Sequence, residues 1–517
     1  MKRILKGLLL ALVAISPAFA NRSHNKTDLN IRVGRDSVPA FTTFHKMKAD
    51  RNDDRIGGNF QATGFYAQST NGSHLARAFG ADGTGSITVA NNKLDSTGGR
   101  ATPGDLKSLR DAKQVWNSLL LHNSTSTENP NFLNGTIKFD PKQIVYGVRF
   151  DYFHRLDKWL EGLYVAANIP FIHIKNNLNM SVKCPRPGLY VDENIQLEDL
   201  LTGKSIDRLS PEDAQDRLTC GKMCNNSRTG FGDLELMVGW NFMEGRKYHM
   251  GVNASLVLPT ATKERSEFLW GARTGDSKWG LGLGFDGSAL MWEEGDQSLK
   301  FLGSLQYKYL FNGTEKRTVG LNELYYFNDH AGVDAVDLIK NPLLSQYYLV
   351  GTVGSKNLTP LANLSTMDVK VQMRSQLDTI LAFAYTNGNF TFDLGYNFFW
   401  KQAELVKCKA GPCKTPCNDP CANECGLTNN CVPKCWDETK YAVAHPHLYD
   451  ATTNFEAAYS FALDTRGYIK GSQFNYDAAA TGAQLVHKAF AGIGYEIKEW
   501  EYPVMVGAGV AYEIPSN

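Results

Sequence analysis

Residues 233–242, DLELMVGWNF, place Leu234, Leu236, Val238, Trp240 and Phe242 at every second position, with Glu235, Met237, Gly239 and Asn241 between them. A period of two means an extended strand whose two faces differ. Two surroundings suit such a strand. A soluble sandwich turns the apolar face to its core; a barrel in lipid turns it outward and keeps the polar face toward an aqueous interior.

The alternation recurs along the chain. Met250, Val252, Ala254, Leu256 and Leu258 oppose Gly251, Asn253 and Ser255, and Phe390, Phe392, Leu394, Tyr396, Phe398 and Trp400 oppose Thr391, Asp393, Asn397 and Lys401. The longest example runs over 369–385, where Val369, Val371, Met373, Leu377, Leu381, Phe383 and Tyr385 oppose Lys370, Gln372, Arg374, Gln376 and Asp378. Soluble strands usually have about 5–6 residues, whereas a tilted membrane strand needs about 9–11. These segments are of the second kind.

Eleven segments carry the pattern: 58–69, 132–155 (bent at Pro141), 158–173, 229–243, 246–260, 278–292, 297–312, 366–386, 388–405, 483–497 and 501–514. Very short connections at 154–158, 244–247, 293–297, 386–389 and 498–501 alternate with long polar stretches at 174–228, 261–277, 313–365 and 406–480. Short turns on one side and long loops on the other describe an up-and-down barrel of the outer-membrane kind. The expected fold is therefore all-β: a transmembrane antiparallel up-and-down barrel over 58–517, of about 12 strands and within about 10–14. Eleven is odd, and bacterial single-chain barrels have even numbers. A strand is missing from the count, with 453–463 a candidate, or the closing strand is absent from the sequence. Tyr146, Phe150, Tyr152, Trp159, Trp240, Trp279, Trp292, Phe398, Trp400 and Trp500 fall near strand ends, where interfacial aromatic girdles belong.

The chain starts MKRILKGLLLALVAISPAFA. Lys2, Arg3 and Lys6 precede a short apolar run from Leu8 to Ile15, and Ala18-Phe19-Ala20 has the small-x-small cleavage pattern, so 1–20 read as a signal peptide cleaved after Ala20. The apolar run is shorter than the roughly 20 residues of a membrane helix. Residues 21–57 are polar and unpatterned and read as a periplasmic N-terminal segment or a plug strand; 103–128 carry a mild helical period. Mean hydropathy is −0.31, a value open to a soluble protein and to a barrel alike, since only alternate residues of a barrel strand face lipid. A net charge of +1, from 54 basic and 53 acidic residues, argues against a nucleic-acid-binding surface.

The polar faces carry Arg149, Asp151, Glu235, Asp286, Lys300, Lys308, Lys370, Arg374, Asp378, Asp393 and Lys401 as candidate pore-lining residues. Both signs are present, and such groups are tolerable in a wet pore, where they select solutes by charge and size. In a closed barrel the same groups would pair into ion networks.

All ten cysteines lie in two long loops: Cys184, Cys220 and Cys224 in the first, and Cys408, Cys413, Cys417, Cys421, Cys425, Cys431 and Cys435 in the second. Exported loops are oxidising territory, so disulfides are expected. With three and seven, complete pairing within the chain needs at least one bridge between the loops. The spacing does not match the paired two-residue separation of zinc sites, and no metal or other cofactor is expected. Asn312 begins an Asn-x-Ser/Thr triplet, a chance match in a bacterial context. No G-x-S-x-G, H-E-x-x-H or P-loop pattern occurs. His249 beside Asn253 and Ser255 is the nearest approach to a hydrolytic set, and the chain is not expected to be an enzyme.

The stretch LVLPTATKERSEFLWGARTGDSKWGLGLGFDG, 256–287, resembles a hairpin of outer-membrane transport barrels for aromatic hydrocarbons and fatty acids. Residues 139–155 and 489–514 are similar to large outer-membrane barrels of Gram-negative intracellular bacteria. The resemblance covers about a third of the chain, implies a barrel and passive transport, and assigns no functional residue. The cysteine-rich loop departs from ordinary porins. The expected function is a porin-like channel for small solutes in the outer membrane, with membrane lipid and solutes as its partners. The alternatives are a structural or adhesive surface protein whose barrel anchors disulfide-stapled loops, and a soluble secreted β-protein.

Overall fold

The computed structural model describes residues 26–29, 58–79, 84–89, 134–186, 197–204, 216–245, 247–263, 266–322, 325–328, 333–337, 342–347, 349–352, 358–408, 440–443, 469–497 and 504–515. The signal peptide 1–20, the helix expected in 103–128, the strand candidate 453–463 and Cys413 to Cys435 lie outside them.

Eleven long strands form one curled antiparallel sheet, a half-barrel in which each strand pairs with its neighbours in chain order. They are β1 (Gly58–Gln68), β2 (Lys142–Arg155), β3 (Leu163–Asn177), β4 (Leu234–Gly245), β5 (Tyr248–Leu258), β6 (Gly280–Glu294), β7 (Gln297–Thr318), β8 (Thr366–Asn387), β9 (Phe390–Lys401), β10 (Gln484–Ile497) and β11 (Val504–Pro515). All eleven expected segments are present; the expected twelfth is not among the described residues. Neither β1 nor β11 has a second described partner.

More than one expected strand divides, and 229–243 breaks at Gly232-Asp233 into the end of Asn226–Phe231 and β4. Residues 132–155 are two strands, Asn134–Lys138 and β2, separated at Pro141. Proline cannot donate to a ladder, and the break lets each half join a different sheet. Asn134–Lys138 pairs with Ser86–Val89 and Ser181–Arg186, outside the main sheet.

Tight turns close one end. Gly295-Asp296 joins β6 to β7, and Gly388-Asn389 joins β8 to β9, with both glycines at positive φ (57° and 59°). Two-residue hairpins need that left-handed backbone, which glycine adopts without a Cβ clash. The opposite end carries the long connections, and these fold. Phe79, Ile87, Ile137, Phe139, Leu178, Leu201, Met223, Trp270, Val319, Leu321, Tyr347, Leu361, Val369, Val371, Met373 and Phe474 share one apolar core there. A cap with its own core covers this end of the sheet.

The two faces of the sheet have opposite chemistry. On the outer face Leu283, Leu394 and Val510 are 66%, 65% and 71% exposed, and Leu236, Val238, Trp240 and Phe242 of the 233–242 segment are all exposed. On the inner face Asp286 and Asn397 are fully buried, with Asp151, Glu235, His249, Asn253, Thr391 and Asp393 nearly so. The ordinary rule of apolar inside and polar outside is reversed.

Most aromatic side chains on the outer face fall into two bands. Phe60, Tyr152, Trp240, Phe242, Tyr248, Trp292, Phe301, Phe383, Phe390 and Tyr495 lie toward the turn end, and Tyr66, Tyr146, Phe171, Phe231, Trp279, Tyr309, Phe311 and Tyr512 toward the cap. Between them the exposed residues mix aliphatic side chains, including Val238, Leu283, Leu305, Leu394 and Ile493, with the aromatics Phe285, Tyr307, Phe392 and Tyr396. Cross-strand pairs knit each band: Phe301 against Phe383 and Phe390 against Tyr495 at one end, with ring centroids 5.3 and 4.9 Å apart, and Phe171 against Phe231 at the other, at 5.1 Å. Phe398, expected at a rim, is instead buried against the His487 ring.

Candidate functional site

The candidate site is the enclosed polar face together with the cluster of charges where it meets the cap. In its middle, Arg149 pairs with Asp151 on β2 at 2.7 Å. Glu235 of β4 accepts from Lys308 Nζ of β7 at 2.7 Å and from Asn168 Nδ2 of β3 at 3.3 Å. The lysine reaches Glu235 past β5 and β6, and β6 leaves room for it. A Cβ on Gly282 would stand 2.4 Å from Ser255 Oγ and 3.1 Å from Lys308 Cγ, and one on Gly284 would stand 2.2 Å from the Gln306 amide. The missing side chains of β6 let the flanking strands' side chains converge over it.

Asp286 anchors a second group. His249 Nε2 lies 3.3 Å from Asp286 Oδ2 and 3.1 Å from Asn241 Oδ1, and Asn253 Nδ2 donates to Asp286 Oδ1 at 3.3 Å. Ser255 is no partner of that histidine. Six residues along one strand separate them by about 20 Å, which excludes a catalytic dyad. On β9 Asn397 Nδ2 donates to Asp378 Oδ1 of β8, and Asp393 is buried on the same inner face. Lys300 lies half-buried on β7 toward the turn end.

The ladder expected along β8 is interrupted. Arg374 sits at φ 62° within the strand. Beyond it Val369, Val371 and Met373 enter the cap core while Lys370 is exposed. Lys370 and Asp378 therefore occupy two different surroundings, one beside the cap and one on the enclosed face.

The densest charge lies at the cap. Arg317 contacts three carboxylates: Glu315 at 2.7 Å, Glu404 at 2.8 Å and Asp28 at 3.0 Å. Lys278 pairs with Glu315 at 2.6 Å, Arg273 with Asp28 at 2.7 Å, and Lys401 with Glu404 at 3.2 Å and Asp276 at 4.0 Å. Burial alone would raise the Glu404 carboxyl, but Arg317 and then Lys401 outweigh it and hold Glu404 below the ordinary carboxylate range. Of this set only Lys401 was singled out from the sequence. Asp28, Arg273, Lys278, Arg317 and Glu404 lie in connections or at strand ends, where no alternation marks them.

Asp28 belongs to residues 26–29, which lie at the cap end and not at the turn end. Thr27 N donates to Ala478 O at 2.9 Å and Thr27 Oγ1 to Thr318 O at 2.7 Å. β1 begins at the turn end, since Gly58 faces His154. The described part of the expected periplasmic segment thus sits at the end opposite the start of β1.

The 256–287 stretch owes its shape to side-chain hydrogen bonds. Asp233 accepts from the backbone N–H of Ala261, Asp276 and Ser277, and Thr260 Oγ1 donates to Gly232 O at 2.6 Å. Asn226 is used internally too, donating to Trp270 O at 2.8 Å and accepting from Ala272 N at 2.7 Å.

No disulfide is present among the described residues. Cys220 and Cys224 are half-buried thiols at the cap, and Cys408 closes the short strand Leu405–Cys408. Burial pushes the Cys224 thiol up, against the pull of Lys222. Cys184 lies on Ser181–Arg186.

Fold and site together define a curled antiparallel sheet with an apolar exterior, an ion-paired interior and a folded cap. No protein-family model matches the chain, and no curated protein is detectably similar to it.

Proposed function

We propose that the sheet is the wall of a β-barrel in the outer membrane of a Gram-negative bacterium, and that small hydrophilic solutes diffuse passively through it. One observation carries the reading: the reversed polarity, with an apolar outer belt richest in aromatics toward its two edges and ion pairs within. In water so large an exposed apolar surface is a liability; in lipid it is the surface that inserts. From Phe301 to Tyr309 the two bands are eight residues apart, about 27 Å along the strand and, at the ~40° tilt of such barrels, about 21 Å along the membrane normal, beside an apolar band of ~25 Å. Paired charges on the inner face set a transverse field on any solute that passes.

The folded cap favours one second reading, a surface protein whose barrel mainly anchors the cap. Planar-bilayer conductance of the refolded full chain separates the two. A channel gives discrete conductance steps, and Lys300→Glu shifts its reversal potential toward cations in a salt gradient. A parent protein that inserts but does not conduct leaves the anchor. Unchanged migration on SDS gels with and without heating removes both and leaves a soluble protein.

A further inference from the structure

At the cap, one carboxylate of the buried cluster comes from neither the sheet nor its connections. Among the described residues the cluster holds four cations (Arg273, Lys278, Arg317, Lys401) and four anions (Asp28, Asp276, Glu315, Glu404). Asp28 supplies the fourth negative charge from the stretch 26–29, 245 residues before Arg273.

Its two oxygens are held separately. Asp28 Oδ1 accepts from Arg273 Nη2 at 2.7 Å; Oδ2 lies 3.0 Å from Arg317 Nη1 and accepts from Thr481 Oγ1 at 3.1 Å. The three donors come from three places: the β6 approach, the end of β7 and the approach to β10. Without Asp28 the remaining set carries three anions against four cations in an enclosed place, and an excess buried charge is strongly unfavourable. Guanidinium pairs suit a planar carboxylate because each oxygen finds its own N–H.

We propose that Arg273, Arg317 and Thr481 form a binding site for a small carboxylate, and that Asp28 is its resident, displaceable occupant. Among the described residues, the stretch has only a handful of other contacts. Besides the two Thr27 hydrogen bonds, Lys26 Nζ donates to Asp477 O at 2.6 Å and Leu29 packs against the cap core. An acid arriving at the cap competes with Asp28 for the same three donors, and one that wins frees residues 26–29 from the cluster. The site stands independently of conductance, because occupancy is read from stability.

The test uses the full chain refolded in detergent, with Asp28→Ala to vacate the position without filling it. Thermal unfolding is followed in sodium formate and in sodium chloride at equal ionic strength. The expected result is a midpoint several degrees below the parent's in chloride and a saturable rise toward the parent's value in formate. The parent itself shows no such rise. Asp28→Asn, which keeps the shape and fills the space, is destabilised and not rescued, and adding Arg273→Gln to Asp28→Ala abolishes the rescue. Formate no better than chloride, a parent that responds as much as Asp28→Ala, rescue that survives Arg273→Gln, or failure of Asp28→Ala to fold in either salt overturns the proposal.

Discussion

Leu283 is 66% exposed on the outer face of β6, four residues from Trp279 of the cap-end band and nine from Trp292 of the turn-end band. Its surroundings decide what an arginine there would do. On a water-facing surface Leu283→Arg changes stability by no more than about 0.5 kcal/mol. Inside the apolar layer of a bilayer the same change costs up to about 2–4 kcal/mol, the full figure applying at the midplane. The barrel reading therefore expects a lower denaturant midpoint for Leu283→Arg in lipid vesicles, and an unchanged midpoint refutes it. Glu404 supports a second prediction at this scale. Its folded pKa lies below the ordinary value, so its contribution is complete above the unfolded carboxylate pKa of about 4.3 and is lost as pH falls through the folded one. Unfolding followed from neutral pH downward should be level to about pH 5 and then weaken. Glu404→Gln should cost about 3–5 kcal/mol at neutral pH, because Arg317 and Lys401 keep their buried charges, and should flatten the acid limb.

At the scale of elements, register and turn chemistry carry the hairpins. Gly388 holds a left-handed conformation at φ 59° with nothing within 4 Å of an added Cβ, so the cost of substitution there is backbone strain alone. Gly388→Val should destabilise the β8–β9 hairpin by about 1–2 kcal/mol and Gly388→Asn by less, since asparagine tolerates that region. Equal losses in chemical denaturation would contradict this. The strands themselves were legible because alternation sustained over a dozen residues is a long signal: the segment 388–405 contains β9 and reaches the short strand Leu405–Cys408 that continues along β8. The cap was not legible. Its core draws Phe79, Ile137, Trp270, Tyr347 and Phe474 from five separated stretches, and contacts at such separation leave no local period.

At the scale of the molecule the odd number of long strands among the described residues has a geometric consequence. Successive antiparallel strands reverse direction, so the first and eleventh of eleven run the same way. Closure of the sheet on itself is then a parallel β1–β11 seam, unlike every other pairing in the sheet. Lipid leaves no backbone group unpaired within its apolar layer, so an inserted barrel needs that seam or a further strand. Cysteines placed at Gly64 and, in separate variants, at Val506, Ala508 and Val510 should cross-link in lipid at one register if the seam forms. No cross-link at any of the three, with conductance retained, means that another strand completes the wall.

What the sequence determined by itself is the set of long strands, their alternating faces and the division into turns and long connections. Each is local, written in a period of two and in glycine at the hairpins. Tertiary structure decided what those faces meet. It placed Asp28 against Arg273 and Arg317, carried Lys308 past β6 to Glu235, parted Lys370 from Asp378 at Arg374, and gathered the connections into a cap. Those outcomes depend on which distant groups can neutralise a buried charge or cover an apolar one, and strand periodicity carries no record of that.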